Sequence, residues 1–340
     1  MRALFIGFGT VNQGLAELLL AGKGDLKNRY GLNVDVVGIS DTLKGSLLCP
    51  DGLDLENALK AAETGGSISE NSKWRFEGDA LSMIEQADAE VMVEATYTDI
   101  KTGEPATSHI RKALERGMHV VTTNKGPIAL HHAGLSALAA KKGKKLLFEG
   151  TVMSGTPLIN LIRHSLAGSS IQEIKGILNG TTNYILTRME EGLPYEKALK
   201  KAQELGYAEA VPDADVLGWD ALAKVTILAS VFFGAKAKPF DYPCEGITGI
   251  TPAAISSAKD QGRRFKLVGK VWRERTQVKA AVAPEEVELA HPLASVMGAT
   301  NAVTITTDTL GDVTIVGPGA GRKETGFSLL VDLIEIGGKK

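Results

Sequence analysis

The sequence predicts an α/β fold: a Rossmann-type doubly wound parallel sheet, then a second domain of α+β type. Three observations carry this. The chain opens on a strand, a glycine turn and a helix, in that order. Strand-like and helical segments then alternate to about residue 148, the pattern of a parallel sheet. From Glu149 the composition turns to small residues, hydroxyls and a proline, as at a crossing between domains.

Residues 2–6 form a short apolar run that ends in Gly7-Phe8-Gly9-Thr10-Val11-Asn12, and residues 11–20 have helical spacing. Gly7 permits the tight turn, and Gly9 has no side chain to block a pyrophosphate. The helix start adds free N–H groups and a favourable dipole. The third glycine of the fingerprint is Asn12, with Gly14 out of phase, so the helix is expected slightly further from the strand. The same residues also read as a plain glycine turn. A second strand over residues 34–40 ends at Asp41, where an acidic group accepts a ribose 2′-OH and favours NAD. Lys44 is near enough in sequence to meet a 2′-phosphate instead. Residues 22–31 read as a polar, mobile loop. Further strands are expected over residues 90–95, 119–125 and 145–148, and helices over residues 110–116 and 130–141. Ligands bind at the carboxyl ends of such strands, where Gly7, Thr96 and Lys125 fall.

Three segments of the second half carry polar chemistry. Residues 149–157 read either as a hinge or as a backbone turn whose carbonyls hold a hard cation. Residues 175–184 are an apolar strand running through Asn179-Gly180-Thr181 into a helix. That turn is either a capped helix start or a seat for a carboxylate. Residues 206–215 hold Glu209, Asp213 and Asp215 and lead into a helix with Asp220 and Lys224 one turn apart. An exposed i,i+4 pair is worth only a few tenths of a kcal/mol, at roughly 0.2–0.5. Here apolar residues surround Lys224. Desolvation favours its neutral amine and Asp220 favours the charged one, so the two influences oppose each other.

Composition excludes several classes. Net charge is −2 with both signs mixed, so no basic block points to nucleic acid. No run reaches the roughly 18 apolar residues of a membrane span, and no cleavable signal is expected from the opening residues, whose apolar run is read as part of the fold. Cys49 and Cys244 are the only cysteines. They make neither a disulfide framework nor a zinc site, which fits a reducing cytoplasm.

With these segments in hand, the chain resembles homoserine dehydrogenase from residue 1 to about 333. The likeness rests on GFGTVN, VVTTNKGPIA, FEGTVMSGTPLI, GILNGTTNYIL, GYAEAVPDADVLGWDALAKVTILA, HPLASVMGATNAV and GPGAGRKETG, in the family's order. It implies interconversion of L-homoserine and L-aspartate 4-semialdehyde with NAD or NADP, in threonine, methionine and isoleucine biosynthesis, by a homodimer. By the same resemblance Lys224 is the proton donor with Asp220 as its helix neighbour, and Lys125 lies between cofactor and substrate. Glu209 grips the substrate amino group, while Tyr207, Gly180, Thr181 and Asp215 line the substrate pocket. Glu149, Val152, Ser154 and Thr156 match a sodium site built largely from carbonyls. Phe8, Thr10, Val11, Thr96 and Gly319 match cofactor contacts. The implied domains are residues 1–148 with 318–340 for the dinucleotide, and residues 149–317 for substrate and dimerisation. Val211 stands where an acid is common, and Glu324 and Gly326 replace the usual Pro and Ala. A chain of this length is expected to lack the regulatory domain of longer members.

Two other readings remain at this point. One is another two-domain NAD(P) oxidoreductase of a small amino acid or sugar, which would lack the Asn-Gly-Thr and Glu209-to-Lys224 segments. The other is a catalytically silent dinucleotide-binding protein, which has no need of a proton-transfer lysine.

Overall fold

The computed structural model describes residues 1–70 and 72–339. The chain divides into two compact units, Met1–Gly155 with Gly321–Lys340, and Thr156–Ala320.

In the first unit β1 (Arg2–Ile6), β2 (Asp35–Asp41), β3 (Gly45–Leu48), β4 (Val91–Glu94), β5 (His119–Thr122) and β6 (Leu146–Leu147) form one sheet, ordered β3-β2-β1-β4-β5-β6. All pairs are parallel except β2 with β3. The connecting helices are α1 (Thr10–Tyr30), α2 (Leu55–Glu63), α3 (Ala80–Gln86), α4 (Ala106–Glu115) and α5 (Lys125–Lys141). The strand order reverses at β1, so right-handed crossovers put α1 and α4 on opposite faces. Covered on both sides, β4 is buried throughout and β1 from Ala3 onward, which is why residues 3–6 and 91–93 are continuously apolar.

Residues 22–31, expected as a mobile loop, are mostly helix. Gly22 and Gly24 each cost about 1 kcal/mol against alanine, but no proline interrupts, and buried Leu26 continues the inward face of Leu15 and Leu19. The helix ends at Gly31 in the left-handed region, φ 61°. The Gly31 and Leu32 N–H groups bond back to Lys27 O and Leu26 O, the usual closure of a glycine-terminated helix. Strand β3 was not expected. It follows a tight turn closed by Asp41, whose Oδ1 accepts the N–H groups of Leu43 and Lys44 at 2.9 Å each.

The second unit holds α6 (Leu158–Asn160), β7 (Ile171–Ile177), α7 (Gly180–Glu190), α8 (Tyr195–Glu204), α9 (Asp213–Val216), α10 (Trp219–Phe233), α11 (Pro252–Asp260), β8 (Arg263–Glu274), β9 (Gln277–Glu288), β10 (Thr300–Thr307) and β11 (Gly311–Pro318). Its sheet is wholly antiparallel, ordered β11-β10-β7-β8-β9. Helix α10 packs on β8 and β9 and is buried without a break from Ala221 to Ala229. It comes close because β8 offers Gly269, where a Cβ would meet Val225 Cγ2 at 2.6 Å.

The last helix, α12 (Arg322–Gly337), returns to the first unit and lies along α1. Leu329 and Leu333 join Leu15, Ala16 and Leu19 in its core. The crossing depends on glycines: a Cβ on Gly14 would sit 2.1 Å from Arg322 O, and one on Gly326 would sit 2.6 Å from Leu15 N. The glycine at 326 therefore has a packing reason, since alanine cannot fit. Among the described residues no helix is long and apolar enough to cross a membrane.

Two substitutions in α1 should move stability in opposite directions. Gly24→Ala, with nothing within 4 Å of the new Cβ, should stabilise by about 1 kcal/mol. Gly14→Ala should destabilise by about 1–3 kcal/mol through overpacking. Thermal melts followed by circular dichroism separate the two. Equal shifts would mean that α12 does not cross α1 at Gly14.

Candidate active site

The first unit presents a dinucleotide-shaped edge. At the end of β1 the chain turns through Gly7, φ 81°, where a Cβ would lie 2.7 Å from Ala95 O. Gly9 begins α1 with no side-chain cap, and a Cβ there would meet nothing within 4 Å. Open space beside uncapped N–H groups at Thr10 and Val11 suits a pyrophosphate. Asn12 is fully buried, and its Nδ2 donates to Gly7 O at 2.6 Å. Gln13 Nε2 donates to Phe8 O at 2.7 Å. Two amides thus brace the turn where the fingerprint has its third glycine.

Asp41 ends β2. Its Oδ2 accepts from Phe8 N at 2.7 Å, while its Oδ1 serves the β3 turn. Burial pushes this carboxyl up, but the N–H donors of Phe8, Lys44 and Leu43 outweigh it and hold it below the ordinary carboxylate range. Beyond β4, Thr96 is fixed by fully buried Glu94. Its N donates to Glu94 Oε1 at 3.0 Å and its hydroxyl to the same oxygen. Thr122 Oγ1 donates to Glu94 Oε2 at 3.0 Å, and His109 Nδ1 lies 3.9 Å from Glu94 Oε1. Asn124 Nδ2 donates to Thr96 O and Tyr97 O at 3.3 and 2.9 Å, while its Oδ1 caps α5, whose first residue is Lys125. Gly7, Asp41, Thr96 and Lys125 thus share the carboxyl edge of one sheet. Glu94 and Asn124, which hold that edge in shape, were not singled out from sequence.

The second unit carries a buried amine. Lys224 is 7 % exposed. Its Nζ donates to Leu178 O at 2.6 Å and to Asp220 Oδ2 at 2.7 Å. Asp220 Oδ2 also accepts from Asn179 Nδ2 at 3.0 Å, and the same Nδ2 reaches Asp215 Oδ1 at 2.7 Å. Asn179 meanwhile caps α7, its Oδ1 accepting from Thr182 N at 2.8 Å. Sequence reading recognised the turn but missed this bridge. The signal was there: an asparagine cap, unlike serine or aspartate, keeps an NH₂ group to spare. Burial pushes the Asp215 carboxyl up, as does nearby Asp220, against the Asn179 hydrogen bond. Thr181 Oγ1 donates to Tyr207 O at 2.5 Å, and the Tyr207 ring lies 5.1 Å from that of Tyr184. Gly180, Thr181, Tyr207, Asp215, Asp220 and Lys224 are therefore neighbours.

Other expected residues stand apart from this network. Glu209 lies in an exposed loop, its carbonyl accepting from Gln203 Nε2 at 3.1 Å. Val211 is 73 % exposed, so the missing acid there leaves no hole in a buried wall. Gly319 follows β11 and abuts Asn301. Glu149 is buried, its N–H donating to Asp332 Oδ2 at 3.1 Å. Val152 is buried, and Ser154 Oγ shares a 2.7 Å hydrogen bond with Thr325 Oγ1. Thr156 belongs to the other unit, with its hydroxyl on Pro318 O at 2.9 Å. Of the cysteines, Cys49 is buried, and burial pushes the Cys244 thiol up to about 11.

A family model described as "Homoserine dehydrogenase, NAD binding domain" matches residues 7–149, and one described as "Homoserine dehydrogenase" matches residues 157–334. The chain belongs to the homoserine dehydrogenase family. It is 45 % identical over 336 residues to an NAD(+)-dependent homoserine dehydrogenase of Pseudomonas canavaninivorans, covering 98 % of this chain and 96 % of the relative. It is 40 % identical to a homoserine dehydrogenase of Methanocaldococcus jannaschii, covering 99 % and 98 %. Among solved structures, a putative homoserine dehydrogenase of Archaeoglobus fulgidus superposes with a TM-score of 0.89 at 40 % identity, covering all of both chains. A hyperthermophilic archaeal homoserine dehydrogenase in complex with NADPH superposes with a TM-score of 0.84 at 30 % identity, covering 98 % and 96 %. Like other homoserine dehydrogenases, the chain is an NAD(P)-dependent oxidoreductase.

The two perturbed acids should give opposite signs in a melting series against pH. Asp41 is depressed, so its contribution is present above the unfolded value of 3.8 and is lost as pH falls through the native one. Asp41→Asn should lower Tm at pH 7, by an amount that shrinks below pH 3.8. Asp215 is raised, so its ionisation is a cost that appears as pH climbs from 3.8 through the native value. Asp215→Asn should raise Tm at pH 7, and that gain should fade in acid.

Proposed function

We propose that the chain interconverts L-homoserine and L-aspartate 4-semialdehyde, with Lys224 as the group that gives and takes the proton. The observation that carries this is the bonding of the Lys224 amine. Two of its three possible N–H donors are spent on Asp220 and Leu178 O, and no other protein acceptor is bonded to it among the described residues. One donor is left for a substrate oxygen. NAD(P), when bound, supplies or accepts the hydride. In the reductive direction Lys224 hands its proton to the aldehyde oxygen as that oxygen gains charge. In the oxidative direction the same nitrogen takes the hydroxyl proton. Asp220 holds the amine in place, and Lys125 is assigned the second positive charge. The N–H groups of Gly180 and Thr181 at the start of α7 receive the substrate carboxylate. Asp215, Glu209 and Tyr207 supply oxygen acceptors for its ammonium.

The residues at the end of β2 favour NAD over NADP. Asp41 is anionic at neutral pH, accepts a ribose 2′-OH and repels a 2′-phosphate. The NAD(+)-dependent Pseudomonas relative supports the same choice. The first-unit residues Glu149, Val152 and Ser154 are assigned to a monovalent cation held by backbone carbonyls. Two successive left-handed residues, Met153 at φ 61° and Ser154 at φ 54°, support this. Such backbone costs of order 1–3 kcal/mol per residue and clusters at active sites and ligand clamps. The reading also carries a homodimer, as the family resemblance implies, and a place in the cytoplasm, which the two lone thiols fit.

Lys224→Ala should lower kcat for homoserine by roughly 10²–10⁴-fold, with the dissociation constant for reduced dinucleotide, read by fluorescence titration, within twofold of wild type. Turnover near wild type would remove the assignment. Asp41→Ala should shift the NADP-to-NAD ratio of kcat/KM by about tenfold or more toward NADP, equivalent to about 1.4 kcal/mol. An unchanged ratio would mean that Asp41 does not set the preference.

A further inference from the structure

Asn301, second in β10, is 0 % exposed, yet neither its Oδ1 nor its Nδ2 has a hydrogen-bond partner. Two glycines flank it. A Cβ on Gly319 would lie 2.1 Å from Asn301 Nδ2, and one on Gly180 would lie 3.3 Å from Asn301 Oδ1 and 2.5 Å from Ala299 O. The carboxamide therefore fills a slot that exists only because both neighbours lack side chains.

The segment leading to Asn301 is anchored to α7, the helix that Gly180 begins. Asn183 Nδ2 donates to Val296 O at 3.2 Å and Thr300 O at 3.1 Å, and Gly298 N donates to Thr187 Oγ1 at 3.0 Å. Buried Lys266 completes the anchor, its Nζ donating to Val296 O at 2.5 Å and Asn183 Oδ1 at 2.9 Å. Asn301 is held against Gly180 by a framework that is itself fully bonded.

An unpaired buried amide is unfavourable, and an apolar group of the same shape removes the penalty. The next residues of β10, Ala302 and Val303, are apolar and buried. The amide at 301 thus needs a state in which it is paired. It can present either a donor or an acceptor to each glycine, because a flip exchanges the two atoms without changing shape.

We infer that Asn301 is a positioning residue for the substrate turn. When the Gly180 and Thr181 N–H groups take the carboxylate of the amino-acid substrate, the turn settles against Asn301 and the carboxamide gains the hydrogen bonds it lacks. The inference rests on assigning that turn to the substrate. It has an unusual signature: deleting the amide relieves the free protein and weakens substrate binding. A residue with a merely structural role would lower both together.

Asn301→Leu is the near-isosteric apolar variant, and Asn301→Ala decides the kinetics if leucine does not fit between the glycines. In both, kcat/KM for homoserine should fall by about tenfold or more, carried mainly by KM. The dinucleotide dissociation constant should stay within twofold of wild type. The ligand-free Tm of Asn301→Leu should hold or rise by about 2–4 °C. A kcat/KM within twofold of wild type in the folded variants overturns the proposal. So does a loss of dinucleotide affinity that matches the loss for homoserine, which would assign Asn301 to the Gly319 segment. Thr181→Pro, which removes one of the two carboxylate-binding N–H groups at a first-turn position where proline is tolerated, separates the role of the turn from that of Asn301. If it leaves the homoserine KM unchanged, the turn is not the substrate's and both readings fall. If it raises KM while the Asn301 variants are silent, only the role of Asn301 falls.

Discussion

The carboxamide of Asn179 ties together the two helices that meet around the buried amine. Its oxygen caps the start of α7 and its NH₂ group touches Asp215 and Asp220. Asp220 in turn holds Lys224. Aspartate in its place would cap the helix but would add a third carboxylate to two already close. Serine would cap it but lacks an NH₂ group to reach the acids. The charge balance is correspondingly narrow: one ammonium faces two acids, and burial keeps Asp215 reluctant to ionise. Such a cluster costs stability and is retained where chemistry needs it.

The dinucleotide edge is built on the same logic with different groups. Donors and acceptors there are main-chain atoms as often as side chains. Asp41 gathers three N–H groups from two segments, and Glu94 fixes Thr96 and Thr122 from beneath. These acids shape backbone, and the backbone then meets the ligand. Supporting hydrogen bonds of this kind hold a site in the geometry its ligand needs.

Much of this was legible in the sequence because it is local. The opening strand, glycine turn and helix can be read from adjacent residues, and so can the Asp220–Lys224 spacing, which any helix brings to one face. What was not legible depends on partners far along the chain. The true length of α1 rests on Leu26 finding the core and on Gly31 ending the helix, against a local polarity that argued for a loop. Strand β3 is only four residues long and owes its place to the Asp41 turn. Asn12 looked like a defect in a fingerprint until its bond to Gly7 O was seen, and Gly326 looked like drift until α12 was seen crossing α1 at Gly14. Glu94 carries no spacing signal at all, since Thr122 lies 28 residues away.

The thiols have a chemical consequence of their own. Electrophiles and oxidants attack the thiolate form. Cys244 resists becoming one, with its acidity pushed to about 11, and Cys49 is shut inside the fold. A reagent designed to cap cysteines has little to seize here. Covalent inhibition of this dehydrogenase is better aimed at nitrogen than at sulfur, and maleimide labelling is a poor route to a uniformly tagged sample.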